Sequence, residues 1–119
     1  MSSVSSLLRD LETTMVRGST DERTQILSRL TDLFLSTAAV MDEDQVGIFD
    51  VVIGRLSRAI ELRARIELSE RLAPVPNAPA GVVRQLALDE IAVARPVLVA
   101  SPRLTDQDLV AISAAKGRD

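Results

Sequence analysis

A helix-then-turn pattern punctuated by prolines occurs twice in this chain. The run Arg65–Leu72 leads into Val75-Pro76-Asn77-Ala78-Pro79 and then Val83-Arg84-Gln85-Leu86, while Ile91–Leu98 leads into Ser101-Pro102-Arg103-Leu104-Thr105 and then Leu109–Ile112. Aligning Leu72 with Leu98 sets Pro76 on Pro102, Val83 on Leu109 and Leu86 on Ile112, a common offset of 26 residues. Self-similarity at such a period marks stacked helical units, each too small to bury its apolar face alone. It restricts the chain to short helices joined by proline turns.

The remaining periodicity is helical as well. Leu7, Leu8, Leu11, Met15 and Val16 predict a first helix over Ser6–Val16, stopped by Gly18. Ser19-Thr20-Asp21-Glu22 is a capping box for a second helix with Ile26, Leu27, Leu30, Leu33 and Phe34 on one face. Asp42 and Gln45 repeat the device ahead of a third helix carrying Val46, Phe49, Val52, Ile53, Leu56 and Ile60. On that helix Gly47 and Gly54 suit close backbone approach. A bend near Ala59–Glu61 introduces a fourth helix to Leu72, whose exposed side offers Glu61–Arg65, Arg63–Glu67 and Glu67–Arg71 as pairs four apart. Pro79 suits the first turn of a fifth helix, Ala80–Leu88. Pro96 inside Ile91–Ala100 predicts a kinked or late-starting sixth. Thr105 caps a seventh, with Asp106 and Asp108 in its first turn. Val97-Leu98-Val99 is the nearest approach to a strand, and the flanking Pro96 and Pro102 demote it. The expected fold is all-α: about seven helices in antiparallel hairpins, as an α-solenoid or an irregular helical bundle.

At 119 residues the chain reads as one domain. Phe34 and Phe49 are its only aromatics, so Leu, Ile, Val and Ala must fill the core. Fourteen basic residues, all Arg except Lys116, stand among 17 acids, and the net charge of −3 creates no field for a polyanion. With the arginines interleaved among acids and stacking aromatics scarce, no nucleic-acid partner is expected. The polar N-terminus lacks a secretion signal, and Leu33–Met41 is about half the length needed to span a bilayer. A cytoplasmic protein with no membrane partner is the expectation.

Catalysis finds little to work with. His, Cys and Tyr are all absent, which removes the usual neutral-pH base, the thiolate nucleophile and the phenolic acid. No nucleophile elbow, phosphate loop or dinucleotide fingerprint accompanies the remaining Ser, Asp and Glu residues. Asp42-x-Asp44 with Gly47 faintly outlines a calcium loop, but Val46 and Ile53 stand where ligands are required, and helix capping accounts for the acids. The chain is expected to be no enzyme and to carry no catalytic, metal or cofactor residues, hence no cofactor.

Over Phe49–Ile112, at the strings "LAPVPNAP", "VVRQLALD" and "VARPVLVASPRLTDQDL", the chain resembles the DUF2336 proteins, an uncharacterised family found chiefly in alphaproteobacteria. It is also similar to short helical repeats of the HEAT and leucine-rich-variant kinds. The resemblance implies an α-solenoid, with N-terminal helical hairpins over 1–60 and short HEAT-like repeats over 61–119, forming the N-terminal segment of a longer protein. It also implies a role for Arg95, which lies in the most apolar helix: a structural tie between repeats, reaching Asp89, Glu90 or a carbonyl after Leu72. An anion-binding Arg95 is the functional alternative. The expected function is a scaffold for an unidentified protein partner. Two alternatives stand beside it: a homo-oligomeric regulatory module using Leu33–Met41 or the C-terminal end, and a ligand sensor or enzyme completed by further sequence.

Overall fold

A computed structural model describes residues 17–116, together with Arg9 and Thr13. Six α-helices lie among the described residues: α1 (Thr20–Thr37), α2 (Glu43–Ser57), α3 (Leu62–Leu72), α4 (Ala80–Ala87), α5 (Ile91–Ala100) and α6 (Asp106–Lys116). A 3-10 turn, Ala38–Val40, follows α1, and no strand occurs among the described residues. The first helix expected over Ser6–Val16 otherwise lies outside them.

Three helices start where local chemistry starts them. The Ser19 hydroxyl accepts from the Glu22 amide at 3.1 Å while Glu22 accepts from the Ser19 amide at 2.9 Å. Asp42 and Gln45 do the same for α2, at 2.8 and 3.0 Å. Thr105 and Asp108 do so for α6, both at 3.0 Å. Each box satisfies two amides that a helix terminus leaves unpaired. Pro79 sits one place earlier than expected: it is the cap position of α4, not its first turn, and no side chain of its own can cap the helix.

Pro96 neither delays nor breaks α5, which runs as one helix from Ile91 to Ala100. Proline removes one amide and crowds the carbonyl four residues back, here that of Ala92. Ala92 is exposed, so that carbonyl can be hydrated, while Val93, Ala94 and Val97 on the opposite face are buried.

The helices gather around an aliphatic core. Phe34, Ile53, Leu56, Leu72, Val82, Val83, Leu86, Val93 and Val97 are all buried. The two aromatics meet across α1 and α2, ring centroids 5.5 Å apart and tilted by 56°, a favoured edge-on arrangement. α3 packs most extensively on α5, α1 on α2, α2 on α4, and α4 on α5. The molecule is a slab of 44 × 32 × 18 Å. Its short dimension is about two helix diameters.

The charged face expected on α3 turns out to be tertiary. Arg65 binds Asp89 and Glu90 of the α4–α5 turn, and Arg71 pairs with Asp32 on α1. None of the intrahelical pairs Glu61–Arg65, Arg63–Glu67 and Glu67–Arg71 closes among the described residues. A guanidinium gains more from a partly buried partner held by the fold than from a mobile neighbour on its own helix.

Candidate functional site

Polar ties join the turns along two edges of the slab. On one edge, Asn77 Nδ2 donates to the Ala38 carbonyl at 2.6 Å, and Arg103 Nε donates to the Ala78 carbonyl at 2.6 Å. Arg103 also grips Glu43 with both terminal nitrogens, at 2.7 and 3.2 Å. Asn77 and Arg103 stand at the same 26-residue offset as the prolines beside them. Equivalent positions therefore reach back to the preceding turn by the same device. The hydrogen bonds from Arg103, and then its charge, hold the Glu43 carboxyl below the usual carboxylate range.

Along the other edge, Arg65 donates to the Ile60 carbonyl at 3.0 Å and to Asp89 at 2.8 Å. Lys116 Nζ then donates to the Asp89 carbonyl at 2.7 Å. Asp89 is thus a tie, but its arginine is Arg65. Arg95 is exposed and has no partner among the described residues. The correction has a geometric cause. Val93, Ala94 and Val97 occupy the inward face of α5, which turns Arg95 to solvent.

Between α2 and α4 the packing is polar and close. Asp50 Oδ1 accepts from the Val82 amide at 2.8 Å, supplying across the interface the cap that Pro79 cannot. A methyl group on Gly81 would come within 2.6 Å of the same carboxylate, so glycine is required there. The glycines singled out in sequence behave otherwise: Gly47 faces open space, and Gly54 meets Gln85 and Val82 only at ordinary contact distance. Deeper in the seam, Gln85 Nε2 donates to the buried Ser57 hydroxyl at 2.6 Å, which itself donates to the Gly54 carbonyl at 2.9 Å.

Above this seam runs an open groove of about 260 Å³, lined by Asp50, Val51, Arg55, Arg58, Gly81 and Gln85 among others. Asp44, Ile48, Val51, Arg55 and Arg58 follow one another at four- and three-residue steps, and all are exposed. They form a single stripe on α2. Ile48 and Val51 are each 63% exposed, and neither Arg55 nor Arg58 has an acidic partner among the described residues. Asp50 is committed to the Val82 amide. Beside the groove, the Asp108 carboxyl lies below its usual range, chiefly through the Thr105 amide and with help from the Arg84 charge.

A second groove of about 170 Å³ separates α1 from α3, with Leu27, Ala64 and Leu68 below and Thr24, Gln25 and Glu67 at the rim. It holds no unpaired charge pair and no nucleophile beside a base. Among the described residues no group of three or more acidic, His or Cys side chains could hold a metal ion, and no helix is long and apolar enough to cross a membrane. The Leu33–Met41 segment offers little free apolar surface: Leu33, Leu35 and Met41 pack on the core, leaving Val40 exposed.

No protein-family model, curated protein or solved structure matches the chain. The α2 stripe and Asp50 were missed in sequence, because periodicity was read for its buried face alone. Gly81, two residues after a proline that cannot cap, was the available signal for Asp50.

Proposed function

We propose that this protein is a non-catalytic interaction scaffold, built as a short α-solenoid of three helical hairpins, α1–α2, α3–α4 and α5–α6. Membership of the DUF2336 family belongs to the same reading. Two facts support the solenoid: α3 packs on α5 and α2 on α4, and Asn77 and Arg103 tie successive turns at the repeat offset.

The observation that carries the function is the α2–α4 groove. It presents Arg55 and Arg58 without acidic partners next to the exposed apolar residues Ile48 and Val51. Such a strip suits a partner segment that brings both aliphatic side chains and carboxylates. The apolar contacts supply affinity, and the guanidinium groups select register and sign of charge.

Fluorescence anisotropy with a labelled amphipathic helical peptide carrying Glu and Leu at four-residue spacing tests this reading. The wild-type protein binds it, and a peptide with Lys for Glu does not compete. The double variant R55E/R58E, exposed at both positions, loses at least about tenfold in affinity. Equal binding of the two peptides, or an unaffected double variant, refutes the assignment.

A further inference from the structure

We propose that two copies of this chain associate through the α5–α6 side of the molecule, using the exposed stripe Ile91, Arg95 and Val99. The proposal concerns a different surface from the α2–α4 groove and stands independently of it.

The 26-residue offset identifies what this stripe is for. It relates Ile91, Arg95 and Val99 on α5 to Arg65, Ser69 and Ala73 on α3. On α3 these positions face inward. Ser69 and Ala73 are buried, and Arg65 is held by Asp89 and Glu90 of the next unit. The α3–α5 contact is also the most extensive between any two helices here. On α5 the same positions are open: Ile91 is 59% exposed, Val99 is 80% exposed, and Arg95 is exposed. A face that one unit covers with its neighbour is thus left uncovered on the next.

The adjoining helix adds to the patch. Ile112 is the sole buried residue of α6, and Val110 stands well exposed. Exposed aliphatic side chains concentrated on one side of a small domain mark an association surface.

Two arguments favour a second copy as the occupant. The unit that covers α3 is a hairpin of this sequence, so a hairpin of this sequence fits the equivalent face of α5. The surface also carries opposite charges that its own chain leaves unused: Arg95 on α5 and Asp106 at the start of α6 are both exposed and without partners among the described residues. A two-fold axis sets each group against the other copy's complement twice. Such an isologous contact closes at two subunits, whereas a head-to-tail contact continues into a filament.

Sedimentation equilibrium of the 119-residue chain over a wide concentration range is the test. The expected mass is twice 12.9 kDa, without further growth. Val99→Glu and Ile91→Glu, each confirmed as folded by circular dichroism, raise the dimer dissociation constant at least about tenfold, because a carboxylate must then be buried in the contact. Arg95→Glu weakens association in the same direction. Val40→Glu, at an exposed apolar position elsewhere, leaves the dimer intact. A monomer even at the highest soluble concentration overturns the proposal. So does a mass that climbs steadily past two subunits, or a Val99→Glu protein that associates like wild type.

Discussion

Asp50, in the middle of α2, caps α4 by accepting the Val82 amide at 2.8 Å. The contact joins the two halves of the chain, and it dictates a small residue at Gly81, where a methyl group would press on the same carboxylate.

The first prediction follows from that shared space. Asp50→Ala removes the cap and destabilises by about 1 kcal/mol. Gly81→Ala in the wild type displaces the pinned carboxylate and is also destabilising. In the Asp50→Ala background, Gly81→Ala instead stabilises, because alanine is about 1 kcal/mol better than glycine in a helix. Urea unfolding of the four proteins measures the coupling. A Gly81→Ala protein more stable than wild type would show that the carboxylate yields freely.

Arg65 and Arg95 provide a second contrast. Arg65 satisfies the Ile60 carbonyl and Asp89 in a part-buried setting, so Arg65→Ala costs about 2 kcal/mol. Arg95→Ala, at an exposed site, changes monomer stability by no more than about 0.5 kcal/mol. Denaturation at concentrations too low for association separates the two. Equal losses would contradict the assignment of Arg65 as the tie.

Acid should loosen one edge of the slab selectively. Because Arg103 holds Glu43 below the usual carboxylate range, the pair contributes fully above the ordinary glutamate pKa. It is lost as pH falls through the lowered value. Melting temperatures of wild type and Glu43→Gln therefore converge as the solution is acidified. Curves that stay parallel down to the acid limb would mean that the exposed pair contributes nothing.

Ser69 is fully buried, and its hydroxyl has no hydrogen-bond partner. Burying such a group unpaired costs about 1–3 kcal/mol. Ser69→Ala removes that cost and raises helix propensity, so it increases stability by about 1 kcal/mol. A decrease in the unfolding midpoint would point to a hidden partner.

The sequence by itself determined the helices and several of their boundaries. The signals at Ser19–Glu22, Asp42–Gln45 and Thr105–Asp108 act over three residues, and each is complete within its own turn. The buried faces of α1 and α2 were likewise legible, since 3.6-residue periodicity is a local property. Only the tertiary structure decided which arginines tie helices together, which acid caps α4, which glycine is squeezed and which apolar stripe stays open. Arg65 and Asp89 are 24 residues apart, Asp50 and Val82 are 32 apart, and Arg103 and Glu43 are 60 apart. A long guanidinium side chain at the surface has both neighbours and distant acids within reach, and the choice falls to whichever partner the packed helices hold still and partly dry. For the same reason Arg95, set in the most apolar helix, faces outward: the valines beside it claim the core.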